Sequence, residues 1–228
     1  MASLGTLNTT PFNPRIRKIL AAAAIAGVEL STPSDFKFGE TNKQSAYLSK
    51  FPLGKVPTLE TQDGFHLSES FAIAYYTAER AVTTQKREQL LGSSPEERAL
   101  IQQWIFFTSL HLEPTINNVC GWRKGYAKYD AEVERSSGEE FKRWLNYMEA
   151  AIKGQDWFVK GGTGPSLADI AIGSALYFAF GIYLDQNARN EYPELTAWYK
   201  KLKDVAELAS IFEGDMIDQR LEEPSTKE

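Results

Sequence analysis

At 228 residues the chain has room for one large or two small domains, and its 43% hydrophobic and 12% aromatic content is enough to fill a core. A formal charge of −5 with acids and bases interspersed excludes a nucleic-acid footprint, and no apolar run reaches the ~18 residues of a membrane span. Cys120 is the only cysteine and His66 and His111 the only histidines, which argues against a disulfide or a metal site; with no charged-then-apolar leader, a reducing, cytoplasmic setting is expected.

In chain order, residues 4–8 read as a short first strand, followed by the loop Thr9-Thr10-Pro11-Phe12. Asn13-Pro14 is a helix start, because Asn suits the N-cap and Pro the first helical position. Ile16, Ile19, Leu20 and Ala23 share one face, Arg15, Arg17 and Lys18 lie off that stripe, and Gly27 suits a left-handed cap. A strand at 28–30 follows, then an irregular or weakly helical stretch over 36–49 that carries Lys37 and Lys43.

The stretch 51–79 is the densest in signals. Residues 56–61 are β-prone, Asp63-Gly64 is a hairpin dipeptide, 65–67 return as partner, and a helix begins near Ser68 with Phe71, Ile73, Ala74 and Tyr76 in its periodic pattern. Pro57 lacks an N–H and marks a strand start or edge, while Val56 keeps an N–H and a C=O that can pair with an extended peptide. The free N–H groups of a helix start suit a carboxylate, and Glu69 suits an ammonium group. A peptide-like ligand with both groups fits; a capped hairpin–helix unit without a ligand is the plainer alternative. The strand–helix–strand start implies a parallel pair with a right-handed crossover, and the hairpin completes a mixed four-stranded, thioredoxin-like sheet.

Past Arg80 the texture changes. Residues 83–94 are polar and read as a linker. Ser94-Pro95-Glu96-Glu97 starts a long helix with Leu100, Trp104, Phe107, Leu110 and His111 along it. A second helix covers about 138–152. Ser166 and Asp169 then form a capping-box-like start to a nearly all-apolar helix that should be the buried centre of this half. Residues 193–203 and 204–212 read as two further short helices. The expected organisation is an α/β thioredoxin-like βαβαββα domain at 1–82, a linker at 83–94, an all-α helical bundle at 95–220 and a polar tail at 221–228.

The thioredoxin-like half, the phrase Phe51-Pro52-Leu53-Gly54-Lys55-Val56-Pro57, the Glu69-Ser70 pair and the Ser166-Leu167-Ala168-Asp169 helix start together resemble the cytosolic glutathione S-transferases over essentially the whole chain. Asn13-Pro14-Arg15 and the FPLGKVP run look most similar to fungal members and to the transferase-like domain of elongation factor 1B-gamma. The resemblance implies glutathione as substrate or co-catalyst and a homodimer. It implies that Val56 pairs with the cysteinyl part of glutathione before a cis Pro57, that Glu69 and Ser70 hold the γ-glutamyl group, and that Asp169 is structural. Lys43 and Lys55 stand where related members place residues for the glycine carboxylate, with a solvated surface lysine as the alternative for each.

Family members activate the thiol with a Tyr, Ser or Cys after the first strand; this loop has Thr9, Thr10 and Asn13 instead. Aligning Arg17-Lys18-Ile19 with the family's basic pair puts Asn13 at the Ser/Cys position, where its amide either donates to sulfur or caps the helix. Thr9 and Thr10 are the reserve candidates, and Arg15 adds positive field. Without a Cys there, thioltransferase chemistry is not expected, and Cys120 reads as a buried small apolar residue. The second-substrate pocket is implied between this loop and the long helix. Phe12, Phe38, Trp104, Phe107, Thr108, His111, Trp122 and Tyr177 are its candidates, and they suit a bulky apolar electrophile. Two reactions need only the positioned thiolate: addition to an electrophilic carbon, and addition, rotation and elimination that isomerises a double bond, both found among secondary-metabolism members. A non-catalytic binding or assembly module is the alternative from a different class.

Overall fold

The computed structural model describes residues 3–10 and 13–224. The first half is a four-stranded sheet in the order β2-β1-β3-β4, built from β1 (Ser3–Asn8), β2 (Glu29–Ser31), β3 (Thr58–Thr61) and β4 (His66–Ser68). β1 pairs parallel with β2 and antiparallel with β3, setting Leu7 opposite Leu59; β3 pairs antiparallel with β4, setting Leu59 opposite Leu67. Leu7 and Leu59 are wholly buried under α1 (Arg17–Ala26) and α3 (Ser70–Glu79). Those helices pack closely because alanines line their contact: Ala21, Ala22 and Ala26 on one and Ala74 and Ala78 on the other are fully buried. Asn13 caps the entry to α1 by accepting from the Arg15 N–H, Pro14–Ile16 form a 3-10 turn, and Gly27 closes the helix at φ 73°.

The short α2 (Ser45–Leu48) anchors the loop that leads into β3. Tyr47 sits with Phe36 and Phe51 in a small separate cluster, and its hydroxyl donates to the Lys55 carbonyl at 2.9 Å. That proton being committed, Thr58 Oγ1, also 2.9 Å away, is the donor to Tyr47. Asn42 donates to the Gly54 carbonyl at 2.7 Å. The loop into Val56-Pro57 is therefore tied down on both sides, and the Val56-Pro57 peptide is cis.

The helical half comprises α4 (Thr84–Leu91), α5 (Pro95–Phe107), α6 (Glu113–Gly121), α7 (Ala131–Ile152), α8 (Leu167–Phe180), α9 (Gln186–Glu191) and α10 (Pro193–Lys203). α8 is its centre, buried from Leu167 through Leu176. Asp169, itself wholly buried, accepts from the Ser166 N–H and hydroxyl, the Phe158 N–H and the Trp198 indole. Burial pushes its carboxyl up, against four donors that favour the charged form.

Several expectations are corrected. The stretch 83–94, expected as a linker, contains a helix: Thr83 caps α4, and Leu90 and Leu91 enter the core. α7 starts at Ala131 rather than near 138, because Asp130 accepts from the Glu132 and Val133 N–H groups. Residues 204–212 form turns, not a helix. Lys18, expected off the apolar stripe, is 1% exposed. In the polar tail after Arg220, the Leu221 carbonyl accepts from Arg123 and Glu223 accepts from the Tyr129 hydroxyl.

One irregularity shapes the site. Between α5 and α6 the chain makes a π-helical turn over Thr108–Leu112, immediately before Pro114. A proline cannot donate to the residue four back and its ring crowds that carbonyl, so the preceding turn opens. Each residue beyond it is rotated relative to a continuous α-helix, and α6 presents Glu113, Ile116 and Asn117 to the sheet half.

Candidate active site

Two cavities meet between the halves. One, of about 500 Å³, is lined by the loop 51–57, by Ser68 to Phe71 at the start of α3, and by Ser109, Glu113, Pro114 and Asn117 opposite. The other, of about 540 Å³, is lined by Asn13 and Pro14, by Ile116 and Gly121 on α6, by Tyr126 and Ala127 beyond it, and by Ser174, Ala175 and Phe178 on α8. Arg15, Val56, Glu113 and Asn117 belong to both walls, so the two spaces adjoin at that point.

In the first cavity the Val56 N–H and C=O have no partner among the described residues. Glu69 sits at φ 71°, the positive-φ region that costs a non-glycine residue about 1–3 kcal/mol. It makes no side-chain cap, so the first N–H groups of α3 are left open at the cavity. Beneath them lies Lys18. Its ammonium is bound to Glu113, donates to Ser70 Oγ at 3.4 Å, and stands 3.9 Å from the Phe71 ring centre. Burial lowers its pKa, and Glu113 pulls the other way.

At the mouth of the second cavity, Asn13 Oδ1 accepts from the Arg15 N–H at 3.0 Å and Nδ2 donates to Thr9 Oγ1 at 3.2 Å. One amide N–H remains for the cavity its residue lines. Thr9 is 3% exposed and stands behind Asn13; neither it nor Thr10 lines either cavity. Of the lysines, Lys55 lines the first cavity, whereas Lys43 is exposed and lines neither.

The aromatic candidates for the second-substrate wall are elsewhere. Trp104 is buried against Phe107, Tyr147 and Phe158, and Phe107 and His111 pack with Trp144 on the side of α5 that faces α7. Thr108 is wholly buried, Phe38 is 57% exposed, and the Trp122 indole donates to Glu134. Tyr177 lies under the Arg17 guanidinium and donates to the Glu213 carbonyl. Phe12 is outside the described residues. The second cavity is lined instead by α6 and by the next residue on α8, Phe178, which the π turn and the helix's all-round apolarity concealed in the sequence. Ile116, Gly121, Tyr126, Ser174 and Ala175 carried no separate signal; Lys18 and Glu113 would have needed the tertiary contact between them.

A family model described as "Glutathione S-transferase, N-terminal domain" matches residues 3–79, and the corresponding "Glutathione S-transferase, C-terminal domain" matches 130–201. The glutathione S-transferase-like protein FUS3 of Gibberella moniliformis is 36% identical over 221 residues, covering 96% of this chain and 98% of its own. This chain belongs to the glutathione S-transferase family. The transferase-family chain is also 34% identical over 198 residues to human elongation factor 1-gamma, of which it spans 43%. Among solved structures, the GST-like domain of elongation factor 1-gamma from Saccharomyces cerevisiae superposes with a TM-score of 0.82 at 23% identity, covering 98% of this chain and 100% of that one, a likeness of fold. The fold is accordingly the transferase one, a thioredoxin-like sheet domain followed by helices. Among the described residues no group of three or more His, Cys, Asp or Glu side chains could hold a metal ion, and no helix is long and apolar enough to cross a membrane.

Proposed function

We propose that this chain is a glutathione transferase that ionises the glutathione thiol and adds it to an electrophilic carbon of a bulky, largely apolar substrate. The observation that carries the reading is that two cavities share a wall at Arg15, Val56, Glu113 and Asn117: a polar one with a free peptide edge and an apolar one with Asn13 on its wall. Val56 pairs its backbone with the cysteinyl unit, the open start of α3 with Ser70 and Glu69 takes the γ-glutamyl end, and Lys55 meets the glycine carboxylate. Lys43 has no part in it.

A free thiol, with a pKa near 8.5, is mostly protonated at neutral pH. The remaining Asn13 N–H donates to the sulfur and Arg15 adds positive charge, both favouring the thiolate. The thiolate attacks the acceptor carbon, the C–S bond forms, and the electron pair displaced moves onto the activating group or leaves with it. Conjugation and addition–elimination isomerisation share these residues and differ in whether the C–S bond persists, so product analysis separates them. A cytoplasmic homodimer working in secondary metabolism is part of the same proposal. The likeness to elongation factor 1-gamma favours a second reading, a non-catalytic assembly module. Calorimetry decides between them: binding of glutathione, with thiolate absorbance appearing in the complex near neutral pH, is expected, and absence of binding at millimolar glutathione leaves the assembly reading.

A further inference from the structure

Lys18 is a cation removed from solvent whose surroundings determine the polarity of two groups that line the first cavity. Ser70 Oγ accepts from the Lys18 ammonium, so its own proton is turned away from that ammonium. Ser70 is thereby committed as a donor. Glu113 lies on the other side of the same ammonium and reaches the cavity from α6, on the helical half. Only its Oε1 is engaged; Oε2 has no partner among the described residues, and an ionised carboxylate can only accept. One ammonium thus holds a committed donor and a committed acceptor within its own reach, next to the unpaired N–H groups of α3. Such a pair matches the α-carboxylate and α-ammonium of an amino-acid head.

We propose that Glu113 is the residue that binds the ligand's α-ammonium group, and that Lys18 is a positioning residue that orients Glu113 and Ser70 for a zwitterionic γ-glutamyl end. This rests on glutathione being the ligand of the first cavity and adds a contact from the helical half. Selection then acts on the free amino-acid head as well as on the thiol: a donor facing a carboxamide nitrogen, or an acceptor facing a methylene, loses its bond, and a hydrogen bond to a charged group is worth about 10- to 100-fold in affinity.

The test is calorimetric binding of three thiols to the full chain: glutathione, glutaryl-cysteinyl-glycine, which lacks the α-ammonium, and glutathione α-carboxamide, which lacks the α-carboxylate. Wild type is expected to prefer glutathione to both. Glu113→Gln keeps an oxygen for Lys18 and is expected to bring the preference over the glutaryl peptide close to one, while that over the carboxamide persists. Lys18→Met alone would strand a partly buried carboxylate, so the double variant Lys18→Met with Glu113→Gln is used, and it is expected to lose both preferences. A merely structural pair would weaken all three ligands by one factor. That result, or a Glu113→Gln preference equal to wild type's, overturns the inference while leaving glutathione binding intact. A wild type that binds none of the three overturns the glutathione reading itself, and this inference with it.

Discussion

Asn13 is asked to do two things with one amide. Its oxygen caps the 3-10 turn that leads into α1 and one N–H holds Thr9, so the proposed activation of the thiol rests on a single remaining N–H. Asn13→Ala removes that donor together with the cap. Turnover is expected to fall on the order of 10²-fold, as for loss of one donor to a developing anion, and the bound thiol to titrate at higher pH. The cap itself is worth about 1 kcal/mol. Unchanged kcat with an unchanged thiol titration would remove Asn13 from the mechanism. Cys120 makes a complementary case. It is fully buried and its thiol is pushed up to about 12, chiefly by burial. A disulfide reagent is expected to leave it unmodified in the native protein and to react on unfolding; rapid native modification would contradict that burial.

At the scale of elements, the π turn before Pro114 decides which residues face the second cavity, the one proposed for the acceptor. Pro114→Ala restores an N–H and removes the ring that opens the turn. If the turn tightens to α, the residues of α6 rotate, and both KM for the apolar substrate and glutathione affinity are expected to shift, since Ile116 lines the second cavity and Glu113 and Pro114 the first. No change in either would locate both walls elsewhere. On the sheet side, Tyr47 holds the Lys55 carbonyl and accepts from Thr58. Tyr47→Phe frees the loop from its hydroxyl while keeping the ring in the cluster with Phe36 and Phe51. Glutathione affinity is expected to fall several-fold, with a stability loss of about 1 kcal/mol for the lost hydrogen bonds, both measurable by titration and urea unfolding.

For the molecule as a whole, Asp169 ties α8 to Phe158 and to α10 through Trp198. Asp169→Ala leaves these donors buried and unpaired, at about 1–3 kcal/mol each before relaxation. Urea unfolding is expected to show a loss of several kcal/mol, with the remaining folded fraction still binding glutathione, because the residue touches neither cavity. Loss of binding in the folded fraction would mean that the helical half transmits its packing to the site.

Much of this architecture was legible one residue at a time. Asn13-Pro14, Asp63-Gly64, Ser94-Pro95 and Ser166-Asp169 place element starts by local hydrogen bonding and fixed backbone angles, which operate over three or four residues and so are written in order along the chain. The same locality brings Val56, Pro57, Glu69 and Ser70 to one wall, since a hairpin and a helix start bind them within a short stretch. What needed the tertiary structure was every pairing across the halves. Lys18 lies off the apolar stripe of its helix, and only its meeting with Glu113, distant in sequence, explains its burial beneath Ser70. The second cavity is lined by Ile116 and Phe178 rather than by Trp104 and Tyr177, because a π turn rotates one helix and an all-apolar helix hides which of its faces is the open one. By itself the sequence determined the elements, the family likeness and the peptide edge. Only the packing of the halves decided which side chains share a cavity, because that depends on helix rotation and on charges brought together from far apart, neither of which has a local signature.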